Sequence, residues 1–104
     1  MVQYKYGSRS GQQVARDLKS HGAQVILSGR TGGPQHLLAK FSYFKKWLIE
    51  AKASRGKKSL QLTPEEKRRL KVKAARNNAI PVLASVQKGE VTYISVKTGR
   101  ILKP

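Results

Sequence analysis

Glu50 and Lys52 stand two residues apart in the largely apolar stretch "WLIEAKAS", residues 47–54. On a strand, residues i and i+2 share one face. A carboxylate and an amine then project side by side from a sheet, as at the working end of a metal-dependent nuclease. Other chemistry is poorly supplied. The chain has no cysteine, which excludes disulfides and thiolate metal sites and is compatible with a reducing compartment. No Ser/His/Asp arrangement has enough partners to act as a nucleophilic triad.

Charge is the strongest compositional signal. Twenty-two Lys and Arg face five acids, Asp17, Glu50, Glu65, Glu66 and Glu90, for a net charge of +17 over 104 residues. Such a chain repels itself, and a polyanion relieves the repulsion. Nucleic acid is the expected partner, because Lys and Arg displace counterions condensed on phosphates. A membrane is not: the sequence has neither an apolar run long enough to span one nor a long basic amphipathic helix with an aromatic face. The start, "MVQYKYGSRS", lacks the apolar centre of a secretory signal. The expected location is intracellular, in the cytoplasm with nucleoid or ribonucleoprotein. The length fits one domain, residues 1–104.

The elements that would position Glu50 and Lys52 follow from periodicity. In "GSRSGQQVARDLKSHG", Gly11, Val14 and Leu18 mark one helical face; Ser8 or Ser10 could cap its start, and Gly22 suits a left-handed stop. "AQVIL", 23–27, reads as a short buried strand. "SGRTGGPQ", 28–35, is a loop that lacks the ending of a phosphate-binding P-loop. "HLLAKF" (36–41) and "KKWLIEAKA" (45–53) read as two strands. On the second, Trp47, Ile49 and Ala51 share one face and Leu48, Glu50 and Lys52 the other, as for a central strand covered on both sides. "SRGKKSLQ", 54–61, is a basic loop. The clearest helix is "TPEEKRRLKVKAARNN", 63–78: Thr63 caps, Pro64 takes the first position and Glu66 completes a capping box. Leu70, Ala74 and Ala75 give it a thin core-facing stripe. "IPVLASV" (80–86) is a buried strand, "QKGE" a turn and "VTYISV" (91–96) its hairpin partner; "ILKP" is a short tail. The order α-β-β-β-α-β-β implies the α/β class, a central mixed five-stranded sheet flanked by helices.

From about Gly7 to Val96 the chain resembles the archaeal-type Holliday-junction resolvases of the PD-(D/E)xK nuclease superfamily. The matching pieces are "GSRSGQQVARDLKSHGAQV", "SGRTGGPQHLLA", "WLIEAKAS" and "NAIPVLASV". The resemblance implies a restriction-endonuclease-like fold, and family members act as homodimers on branched DNA with a divalent metal, Mg²⁺ or Mn²⁺. In the family a glutamate on the first helix, an aspartate opening the second strand, and the Glu and Lys of Glu-x-Lys carry the chemistry. Here Glu50 and Lys52 match, so they form a residual catalytic pair. The helix glutamate is replaced by Gly11, beside neutral Gln12, and the strand aspartate by His36. Asp17 is six residues beyond Gly11, on a different face of the helix. Glu65 and Glu66 are accounted for at the cap, although Glu66 would reach the sheet if that helix began near the site. One carboxylate in a strongly positive field is a poor Mg²⁺ site. His36 with Glu50 would suit a softer ion such as Mn²⁺. Otherwise His36 is a polar edge residue, and Glu50 pairs with Lys52 or a nearby arginine.

Three functions compete. The first is binding of structured or branched nucleic acid on a resolvase-like fold with an impaired metal site. Its phosphate contacts would be Arg9, Arg30, Lys52, Arg55, Lys57 and Lys58 around the mouth of the site. Lys67, Arg68, Arg69, Lys71 and Lys73 on the second helix would form a further surface, or simply a solvated face. Tyr4, Tyr6, Tyr43 and Phe44 could stack on bases. The second is an active metal-dependent endonuclease that resolves four-way DNA junctions, using Glu50, Lys52 and His36. The third is an RNA-binding structural component of a ribosome or other ribonucleoprotein. A plain protein-interaction module is disfavoured by the charge.

Overall fold

The computed structural model describes residues 9–28, 36–42, 45–54 and 61–104. The order is α1 (Arg9–Ser20), β1 (Gln24–Ser28), β2 (His36–Lys40), β3 (Lys46–Ser54), α2 (Pro64–Arg76), β4 (Ile80–Gln87), β5 (Glu90–Ser95) and β6 (Ile101–Leu102). All six strands lie in one sheet, in chain order. The β3–β4 pair is parallel and every other neighbouring pair antiparallel. Parallel neighbours need a crossover, and α2 supplies it.

Each helix covers one face of this mixed α/β sheet. Val14, Ala15 and Leu18 of α1 pack with Leu37, Ala39, Trp47, Ile49, Val82 and Tyr93. Leu70 and Ala74 of α2 pack on the opposite face with Leu38, Leu48, Leu62 and Leu83. The alternation expected along 45–53 is therefore present: Trp47 and Ile49 face α1, and Leu48 faces α2. Trp47 centres an aromatic cluster, 4.8 Å from Phe41 and 5.4 Å from Tyr93 between ring centroids.

The caps explain where the elements stop. Gly22 ends α1 in the left-handed region at φ 86°, which glycine adopts without a Cβ penalty. Thr63 and Glu66 form the reciprocal capping box of α2, with Pro64 in its first turn. Lys88 and Gly89, both at positive φ, join β4 to β5 across the Gln87–Glu90 pair, the two-residue turn whose twist suits a hairpin.

Four sequence expectations need correction. The tail "ILKP" is not a mere extension: Ile101 and Leu102 pair with Ile94 and Tyr93, giving six strands rather than five. Two residues are too few to show alternation. The strand at 23–27 is only partly buried: Ala23 and Val25 join the α1-side core, but β1 stands at the sheet edge, where Ile26 and Leu27 remain 47% and 37% exposed. Ser10 lies inside α1 and does not cap it; Ser8 lies outside the described residues. Ala75 faces solvent, leaving Leu70 and Ala74 as the buried stripe of α2. Among the described residues no helix is long and apolar enough to cross a membrane.

Leu70 is fully buried, whereas Val72 two residues on is exposed. Leu70→Ala should cost about 2–5 kcal/mol of stability through the cavity it leaves. Val72→Ala should stay within about 0.5 kcal/mol. Denaturant unfolding of both variants checks this.

Candidate nucleic-acid interface

The register of β2 on β3 pairs Leu37 with Ile49. Continued by one residue, it sets His36 opposite Glu50 on the face covered by α2. His36 Nε2 lies 3.0 Å from Glu50 Oε1. Helix α2 lies over β3 and β4 on that face, and its inward side carries Glu66, Leu70, Lys73 and Ala74. The spacing i, i+4, i+7, i+8 makes them neighbours on one side of the helix. Lys73 Nζ reaches His36 Nδ1 at 3.2 Å, and Lys52 Nζ donates to Glu66 Oε1 at 2.8 Å.

These contacts rearrange the partners expected from the sequence. Glu50 pairs with His36, not with Lys52. Lys52 pairs with Glu66, which simultaneously accepts from the Thr63 backbone N–H at 2.8 Å. Glu66 is thus both the capping residue and the acid that reaches the sheet. His36 is no exposed edge residue: it retains 5% exposure beneath Lys73. Its tautomer is assigned from its partners. A proton on Nε2 lets the ring donate to Glu50 while Nδ1 accepts from the Lys73 ammonium. Burial lowers the Lys73 pKa from the ordinary 10.5. The contact with His36 turns Lys73 inward, whereas Lys67, Arg68, Arg69 and Lys71 are exposed.

A divalent ion of the kind the family uses wants several hard oxygens. The described residues hold no group of three or more His, Cys, Asp or Glu placed to grip an ion. Glu50 Oε1 is engaged by His36, Glu66 Oε1 by Lys52 and Thr63, and an ammonium stands against the other nitrogen of His36. Glu50 Oε2 is buried with no hydrogen-bond partner among the described residues. It is one donor where an octahedral ion needs several. This donor set does not fit Mg²⁺. With Lys73 against His36 it does not fit Mn²⁺ on His36 and Glu50 either.

The other candidate positions are spread out. Arg9 is exposed at the start of α1, and Gly11, two residues on, is buried. Asp17 accepts from the Tyr93 hydroxyl at 2.6 Å on the α1 side of the sheet, away from Glu50. Burial first, and then Asp17, raises the Tyr93 hydroxyl well above the usual 10. Arg30, Arg55, Lys57, Lys58, Tyr4, Tyr6, Tyr43 and Phe44 lie outside the described residues. The sequence reading missed the Lys73–His36 contact. Its only signal was a basic residue on the same helical side as Leu70 and Ala74.

The fold is thus a mixed sheet with α1 on one face and a crossover helix on the other. The Holliday junction resolvase Hjc of Archaeoglobus fulgidus, an archaeal hyperthermophile, has a similar structure, with a TM-score of 0.75. The match covers 88% of this chain and 78% of that one, at 21% sequence identity, a likeness that shows the fold. No family model and no curated protein matches the chain.

Hydrogen bonds from Lys52 and from the Thr63 backbone hold Glu66 at a pKa of about 2, against an ordinary 4.5. A carboxylate depressed in this way stabilises the fold above the unfolded value. That stability should fade as pH falls from about 4.5 toward about 2. Glu66→Gln should remove this part of the acid dependence. Unfolding curves of the two proteins across that range, with an NMR titration of Glu66, check it.

Proposed function

We propose that this chain binds branched or structured nucleic acid through a basic surface on a resolvase-like fold whose metal site is impaired. One observation carries the reading. Lys67, Arg68, Arg69, Lys71 and Arg76 are exposed on α2, and the three ion pairs among the described residues involve none of them. Like charges on one helix destabilise it unless a polyanion lies against them. Sequence-independent phosphate contacts would then supply most of the affinity.

The Glu50–His36–Lys73 chain supports the second half of the reading. One carboxylate oxygen, an imidazole and an ammonium already engage one another where the family would hold its metal. Lys52 remains as a partly exposed cation beside Glu66, so it serves as a phosphate contact at the edge of that chain. The fold favours a DNA junction over a ribosomal RNA scaffold as the structure recognised. Such work belongs inside the cell.

Fluorescence anisotropy on a four-way DNA junction, plain duplex and structured RNA, over a salt series, tests this. The junction should bind most tightly, with a log–log slope near −0.9 per phosphate contact. Charge reversal at Arg68, Arg69 and Lys71 together should weaken every substrate and lower that slope by about one per lost contact. Glu50→Gln should leave binding unchanged. Junction cleavage with Mg²⁺ or Mn²⁺ that depends on Glu50 would overturn the impaired-site reading, and tighter binding to RNA would favour the ribonucleoprotein role.

A further inference from the structure

Helix α2 divides the sheet face that it covers. His36, Glu50 and Lys73 lie on its β2 side. On its β5 side is a cavity of about 350 Å³, at the small end of the roughly 300–1,000 Å³ typical of small-molecule sites. Its walls are Leu62, Leu83, Ile94 and Val96, with Gln61 and Lys67 also lining it. Leu83 is the β4 partner of Glu50 in the parallel register, so the cavity begins one strand from the Glu50 site.

The interior is apolar and its surroundings are basic. Lys67 is exposed, and the turn between β5 and β6 carries exposed Lys97 and Arg100. An apolar partner side chain would use the interior and leave these cations without a role. A free anion would use the cations and leave the interior unfilled. A nucleotide uses both, because a flat, weakly polar base is joined to a phosphate. Bases within duplex are stacked and out of reach. Unpaired positions release a base at the lowest cost, and apolar side chains can sandwich it.

We propose that this cavity takes one unstacked nucleobase, with Lys67 holding the phosphate attached to it and Gln61 facing the base's polar edge. The inference rests on the nucleic-acid reading above and adds to it a means of choosing branched or bulged substrates over plain duplex.

The test compares a fluorescein-labelled duplex carrying a single unpaired adenine with the same duplex fully paired. Wild type should bind the bulged form about tenfold more tightly, a difference of about 1.4 kcal/mol. Val96→Trp fills the cavity, and Gln61→Trp blocks it from an exposed position that the core does not need. Each should abolish the preference while leaving affinity for the paired duplex unchanged. Gln61→Trp decides the matter if Val96→Trp does not fold, as judged by thermal unfolding. Equal wild-type affinity for the two duplexes overturns the proposal, as does a preference that survives blocking of the cavity. Failure to bind either duplex at low salt overturns the nucleic-acid reading, and the cavity proposal with it.

Discussion

Helix α2 is fastened to the sheet by charged groups at two levels and by apolar groups between them. Glu66 takes Lys52 near the start of the helix, Lys73 reaches His36 near its end, Leu70 fills the interval and Ala74 packs beside Lys73. Partly buried charged contacts of this kind, one an ion pair and one an ammonium on an imidazole, add modest net energy, because desolvation offsets much of the attraction. Their larger effect is on placement. They fix the rotation of α2 about its axis, and hence which residues face solvent. That rotation separates the cavity on the β5 side from the His36–Glu50 pair on the β2 side.

The few acids make this arrangement possible. Three of the five are committed internally: Asp17 to Tyr93, Glu50 to His36 and Glu66 to Lys52. Each meets a defined donor. Few carboxylates are therefore left to offset the cations of the surface, and the unbalanced charge stays on the outside of α2. The positive field and the ordered interior are two sides of one allocation. Moving a carboxylate outward would both weaken an internal bond and dilute the field.

Much of the fold was legible because local signals agreed with one another. The capping box at Thr63 and Glu66, the two-sided apolar strand at 47–51 and the Lys88–Gly89 turn each had a distinct chemical cue. The edge position of β1 had none. "AQVIL" is mostly apolar, and only the sheet order decides that it stands at an edge with Ile26 and Leu27 uncovered. The residues of the site were visible through the family pattern, but their partners were not. Glu50 and Lys52 are two apart on a strand, so proximity suggested that they pair with each other. Side chains two apart on a strand stand nearly 7 Å apart along it. Each instead found a closer group, Glu50 on the adjacent strand and Lys52 on α2. Long-range contacts of this sort leave no spacing in the sequence to read.

The outer strand has a consequence for behaviour in solution. Among the described residues β1 has one strand neighbour, β2, and it carries exposed Ile26 and Leu27. An apolar edge with open backbone groups is a template for joining further strands. The net charge of +17 keeps copies apart, so the surface proposed to take a polyanion also guards the edge against self-association. A bound polyanion cancels that protection as it fills the surface. Colloidal stability is thus lowest not in the free protein but near charge equivalence, where the chains are neutralised and held close together.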